Sequence, residues 1–166
     1  MSYHFRTGFR RSTLVVALAL LVAPGTNAAE LRLTWVADGR VVHETVVDLP
    51  QLDELPQTTL VIKTPWTSGM TSFVGPELGT LAKLGPGNAV SAELHALNDY
   101  SASVPAKDWT DYDVILTTRI NGAPPRVFEK GPYWLMYPLD QMPQPTPQIY
   151  ITRMVWQIDS IRFHVD

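Results

Sequence analysis

The chain has 166 residues and no cysteine, which excludes disulfide bonds, thiolate metal ligands and cysteine nucleophiles together. Long apolar runs are nearly absent. The one uncharged apolar stretch, Thr13 to Ala23, falls short of the roughly 20 residues that a membrane-spanning helix needs. Arg6, Arg10 and Arg11 precede it, and the small-residue segment from Pro24 to Ala29 follows it, the layout of a secretory signal peptide. Residues 1–28 are therefore expected to be removed, with cleavage after Ala28 or Ala29, leaving residues 29–166 as one secreted domain.

Positive charge is scarce in that remainder. Without the three arginines of the leader, ten cations face 16 acids, a formal charge of −6. Such a balance excludes a nucleic-acid binder held by phosphate contacts, and no basic amphipathic stretch offers a hold on a membrane surface. His43, His95 and His164 stand singly, without ligand spacing, so no metal site is expected. No serine has a nucleophile-elbow context. Asp108, Asp111 and Asp113 lack the glycine and terminal glutamate of a calcium loop and read as a solvated helix end. No catalytic residue is expected.

What is present is β-structure. The 45% hydrophobic and 17% charged content is that of an ordinary globular domain, long enough to bury a core without disulfides. Glu30–Val36 and Arg40–Val47 alternate in period two around Asp38-Gly39, which predicts a β-hairpin. Asp48 or one of its neighbours is placed to cap a short turn of helix that Pro56 stops. Gln57–Thr64 is β-branched and predicts a strand, followed by a Pro65–Gly69 loop and a short strand at Ser72–Val74. Gly75-Pro76-Glu77-Leu78, with Leu81, Ala82 and Leu84 at helical spacing, predicts the chain's best helix, closed by Gly85. Ala89–Leu97 favours a strand, Asn98-Asp99-Tyr100 a turn, Ala102–Val104 extended chain, and residues 106–112 a second short helix. Val114–Ile120 predicts a strand, and Asn121-Gly122 a hairpin turn into Arg126–Phe128. Lys130–Pro138 reads as a loop entering a buried strand, Asp140–Pro147 as a surface loop, and Ile149–Val155 and Trp156–Val165 as closing strands. The sum is an α+β class, a β-rich mixed single domain with few short helices.

Several segments are familiar in combination. Thr64-Pro65-Trp66, Phe73-x-Gly75-x-x-Leu78, Ala96-Leu97-Asn98-Asp99-Tyr100 with Pro105, Lys130-Gly131-Pro132-x-x-Leu135-x-x-Pro138 and Arg153-x-x-Trp156-x-Ile158 resemble the molybdopterin-binding domain of the sulfite-oxidase-fold oxidoreductases. The resemblance covers most of residues 50–165. More narrowly, the chain resembles short, stand-alone periplasmic pterin-binding proteins that work with membrane-bound diguanylate cyclase or phosphodiesterase proteins. It implies the sulfite-oxidase fold, a periplasmic location and a role in cyclic-di-GMP signalling and biofilm control.

Two departures shape the functional expectation. Catalytic members of that family hold molybdenum through a cysteine in the segment that corresponds to Val61–Thr64, and neither Thr nor Lys replaces a soft thiolate. The family's Gly-Gly-Pro-x-Arg pattern is also altered, with Lys130 at the first glycine and Trp134 at the arginine, which points to a ligand lacking phosphate. The expected ligand is a reduced, unphosphorylated pterin, with no tightly bound cofactor. The expected partner is the periplasmic domain of a membrane signalling protein.

A pterin ring asks for aromatic faces and for acceptors along its aminopyrimidinone edge. The expected binding residues are Trp66, Asn98, Asp99, Tyr100, Lys130, Trp134 and Arg153. Asp99 is the candidate carboxylate, because its turn lies between two strands; a turn-forming Asp bonded to its own backbone is the competing reading. Trp66, in a loop, is a candidate stacking face or a cap on the core. Lys130 and Arg153 are candidate donors or solvated charges, and Trp156 is of second rank. Trp134 and Tyr137 fall on opposite strand faces, so at most one lines a given pocket. Two alternatives stay open: an oxidoreductase that binds the molybdenum cofactor without cysteine, and a ligand-free adaptor domain.

Overall fold

Asp38 and Gly39 both adopt left-handed backbone, with φ of 50° and 73°, and this turn folds Leu31–Ala37 (β1) against Arg40–Val47 (β2) as an antiparallel pair. The computed structural model describes Met1, residues 29–144 and residues 146–166; the signal-peptide expectation lies outside the described residues. Asp48 caps Leu49–Asp53 (α1) through a reciprocal box in which its side chain accepts from the Gln51 N–H at 3.0 Å and its own N–H donates to Gln51 Oε1 at 2.9 Å.

The remaining elements are Gln57–Ile62 (β3), Thr71–Pro76 (β4), Leu78–Ala82 (α2), Ala89–Ala96 (β5), Ser101–Pro105 (β6), Ala106–Asp111 (α3), Ile115–Thr117 (β7), Arg119–Ile120 (β8), Trp134–Met136 (β9), Gln148–Arg153 (α4) and Ile158–Val165 (β10). A five-stranded sheet runs β2-β1-β10-β5-β6, with β1 and β10 parallel and its other pairs antiparallel. A three-stranded sheet, β3-β4-β8, and a two-stranded one, β7-β9, complete the domain. Period-two burial turns Leu31, Leu33, Trp35, Ala92, Leu94, Ile161 and Phe163 into one core, joined by Leu60, Ile62 and Phe73 and by Leu135 and Met136. The molecule is β-rich with four short helices among the described residues, and none of its helices is long and apolar enough to cross a membrane.

Four expectations about the helices and strands need correction. The helix expected from Gly75 onwards is a single turn: Pro76 is still paired with Gln57 in β4, and Glu77 is the N-cap. Gly75 is in the strand through its pairing with Thr58, and a Cβ there would lie 1.9 Å from the Leu116 carbonyl oxygen, so β4 and β7 approach as only glycine permits. The strand expected over Val114–Ile120 breaks at Thr118, whose N–H donates to the Val74 carbonyl at 2.8 Å, so that β7 pairs with β9 and β8 with β4. Arg126–Phe128 does not continue a hairpin. After one bridge between Ile120 and Ala123 the chain passes through Pro124-Pro125 into a 3₁₀ turn at Val127–Glu129.

The fourth correction matters most for the site: Ile149–Val155 is not a strand, since Gln148–Arg153 forms α4. Its β-branched residues alternate as a strand would, but the proline that precedes it, Pro147, is a helix N-cap. Tyr150 then packs on Tyr112 and Tyr137 at ring-centroid distances of 5.9 Å and 5.5 Å. Tertiary packing overrides the local preference.

Candidate functional site

Three tryptophans from three separate segments meet around one half-buried loop. Buried Thr64 organises that loop: its hydroxyl bonds the Thr67 hydroxyl at 2.9 Å and accepts the Trp66 N–H at 3.2 Å. The Trp66 ring lies 5.7 Å from Trp134 and 5.6 Å from Trp156, edge-on to both, and Trp134 lies 6.3 Å from Trp156 at 89°. Trp134 is buried and fixed further by Phe73 at 5.7 Å and by donation from its indole N–H to the Met154 carbonyl at 3.1 Å. The Lys130 ammonium enters this corner, 3.8 Å from the Trp156 ring centroid, 5.3 Å from Trp134 and 5.9 Å from Trp66. Burial holds the Lys130 pKa below its ordinary value.

Trp66 divides two clefts. The first, of about 280 Å³, is bounded by Trp66, Trp156, Tyr100, Ile151 and Met154, with Asn98, Gln148 and Thr152 as its polar groups. Among the described residues no charged one lines it. The second, of about 390 Å³, lies towards Pro124, Pro125 and Phe128 and includes Lys130 and Glu129. Sequence reasoning thus named seven residues that the fold distributes unevenly. Trp66, Asn98 and Tyr100 come together in the first cleft, while Trp66, Lys130 and Trp134 border the second.

Asp99 and Arg153 line neither cleft. Asp99 is exposed at the apex of its turn, in left-handed backbone with φ of 64°, and its N–H donates to the Ala96 carbonyl at 3.0 Å. Asn98 shapes the same turn by accepting the Tyr100 N–H at 3.2 Å, and the Tyr100 hydroxyl donates to the Thr152 carbonyl at 2.9 Å. Arg153 turns into the protein instead: its guanidinium donates to the Ser103 carbonyl at 3.1 Å and to the Asp108 carboxylate at 2.8 Å, so Asp108, expected at a solvated helix end, is buried and paired. That carboxylate also accepts the Tyr137 hydroxyl at 2.7 Å, and burial, reinforced by this bond, pushes the Tyr137 pKa well above its ordinary value. Tyr137 and Tyr133 are both buried, and the Tyr133 hydroxyl donates to the Ala29 carbonyl at 2.6 Å.

Gln157 ties the two clefts together through its backbone. Its N–H donates to the Lys130 carbonyl at 3.1 Å, its carbonyl accepts the Leu97 N–H at 2.9 Å, and its side chain donates to the Val127 carbonyl at 2.8 Å. Gln148, Ile151, Thr152 and Met154 lie in a segment whose alternation suggests a strand; Pro147 directly before it, the N-cap of α4, is the sequence signal that points to a helix. Among the described residues no group of three His, Asp or Glu side chains is arranged to hold a metal ion. No protein-family model matches the chain, and no curated protein matches it significantly.

Chemically, the first cleft can hold a flat, uncharged ring. Indole and phenol faces supply stacking area, and the carboxamides of Asn98 and Gln148 each offer donors and an acceptor to a heterocycle edge. The second cleft differs in having an ammonium at its border.

Proposed function

We propose that the chain is a non-catalytic binding protein for a reduced, unphosphorylated pterin, held in the first cleft. The observation that carries this reading is the pairing of three aromatic side chains, Trp66, Trp156 and Tyr100, with carboxamides and no cation in one cleft. A volume of about 280 Å³ is near the lower end, roughly 300 Å³, of small-molecule sites, which suits a bicyclic ring. The absence of any cation among the lining residues disfavours a phosphorylated ligand, since an unpaired phosphate has no partner there. In this reading Asn98 and Gln148 take the recognition role first assigned to Asp99.

The sulfite-oxidase fold, the periplasmic location and the relay of ligand state to a membrane-bound cyclic-di-GMP signalling protein belong to the same proposal. Their support is the resemblance of the Thr64–Trp66, Ala96–Tyr100, Lys130–Pro138 and Arg153–Ile158 segments. The lack of cysteine supports a non-catalytic role, because no thiolate is present to hold molybdenum.

The test is direct. The chain is produced with its leader, recovered and denatured, and the released small molecules are examined for pterin fluorescence; the apoprotein is then titrated with reduced pterins. A released pterin or saturable binding supports the reading. Absence of both ends it, and stoichiometric molybdenum in the isolated protein would replace it with the oxidoreductase alternative.

A further inference from the structure

We propose that the second cleft is a separate binding site for a small planar carboxylate, with Lys130 as its charged anchor and Trp66 and Phe128 as its apolar walls. This does not rest on the pterin reading: Lys130 and Phe128 border the second cleft and not the first, and Trp66 alone is common to both.

The charge inventory singles out Lys130. Residues 29–166 contain ten cations. Six of them, Arg32, Lys107, Arg119, Arg126, Arg153 and Arg162, are engaged by carboxylates. Arg40, Lys63 and Lys83 make no ion pair among the described residues but are exposed to water. Lys130 alone is half-buried and, among the described residues, makes no ion pair and donates no hydrogen bond. The indoles hold its position through their π-faces, yet they accept none of its N–H groups as an oxygen would. An anion arriving in the cleft would meet an ammonium already stripped of part of its hydration and fixed in place.

Lys130 has φ of 74° and ends the Val127–Glu129 turn in left-handed conformation, where glycine is the residue of least cost.

The remaining lining decides the chemical class. Glu129 also borders the cleft, but its carboxylate is taken by Arg126 at 3.0 Å and 2.5 Å, so the two charges cancel and Lys130 sets the sign. Arg126 itself lies 4.4 Å over the Phe128 ring. With no free guanidinium fork and one point charge, the site matches a monoanion better than a phosphate. Pro124, Pro125, Ile120, Phe128 and Trp66 ask for an apolar, flat body attached to that anion.

Benzoate is the probe. The whole chain is titrated with it by tryptophan fluorescence, beside benzamide as the neutral analogue, phenyl phosphate as the dianion and tetramethylammonium as a cation that would compete for the indole corner. Saturable benzoate binding is expected, at least tenfold weaker for benzamide and for Lys130→Met. Lys130→Gly serves as the folding control: it relieves the left-handed backbone, so it should melt no lower than Lys130→Met, and it should lose benzoate equally. The proposal fails if benzoate does not bind, if Lys130→Met or benzamide binds as well, or if phenyl phosphate or tetramethylammonium binds more tightly than benzoate.

Discussion

The guanidinium of Arg153, at the end of α4, donates to the carboxylate of Asp108 in α3 at 2.8 Å, and both side chains are largely removed from water. Tyr137 completes the group from the end of β9. A buried carboxylate left without its cation is costly, about 3–5 kcal/mol when one partner is deleted. Arg153→Met is therefore expected to lower unfolding stability by about that amount, and Asp108→Asn, which leaves the largely buried guanidinium without its anion, should cost a comparable amount. Urea unfolding midpoints of both variants decide the matter; equal stability of Arg153→Met and wild type would show that the pair is solvated.

How much of this was legible in the sequence depends on whether a feature is local. The β1–β2 hairpin and the α1 cap were legible because Asp38-Gly39 and Asp48 fix their own backbone through φ > 0 and through a side-chain bond three residues away. The length of α2 was not, because Gly75 and Pro76 are held in β4 by pairing with Thr58 and Gln57, and the close pass of Leu116, 41 residues along the chain from Gly75, is what requires the glycine. Alternating Ile149 and Ile151 concealed α4 in the same way, and with it Gln148 and Thr152. Trp66, Asn98 and Tyr100 were within reach of sequence reasoning, since a loop tryptophan has no core face by default and Asn98-Asp99-Tyr100 reads as a turn between two strands. The burial of Arg153 was not, because nothing near it in sequence announces Asp108.

Alkaline pH should unfold the protein through its buried tyrosines. Burial first, and then the charges of Asp48 and Asp53, push the Tyr133 pKa up to about 12. A group raised in the folded state contributes stability that is present below its unfolded value, about 10, and lost as pH climbs through the folded value. Between those limits the native state binds more protons than the unfolded one, so stability falls with pH. For Tyr133 the loss amounts to about 3 kcal/mol across that window. Tyr137 shifts in the same direction. Unfolding midpoints at pH 8, 10 and 11.5 should decline, and Tyr133→Phe, which has no proton to lose, should decline less steeply.

Gly75 should tolerate no side chain. The conflict at 1.9 Å is with the backbone carbonyl oxygen of Leu116, and Thr117 Cα lies 3.1 Å away, so rotating a neighbouring side chain does not relieve it. Overpacking of this kind costs typically 1–3 kcal/mol and sometimes more. Gly75→Ala is expected at the upper end of that range by thermal or urea unfolding. Gly39→Ala is the comparison: a Cβ there meets nothing within 4 Å, so only the positive φ opposes it, at roughly 1 kcal/mol.

Trp66 should affect both clefts at once, because it is the wall they share. Each aromatic contact that a ring loses is worth about 0.5–1.5 kcal/mol. Trp66→Ala should accordingly weaken pterin binding by about tenfold, taking 1.4 kcal/mol per tenfold. It should also weaken benzoate binding and remove one face from the Lys130 ammonium. Tyr100→Ala, by contrast, borders the first cleft only and should weaken pterin binding while benzoate binding holds. Titrating both variants with both ligands separates the two sites: if Trp66→Ala leaves pterin affinity unchanged, the first cleft is not the pterin site, and if Tyr100→Ala weakens both ligands alike, the clefts do not act as separate spaces.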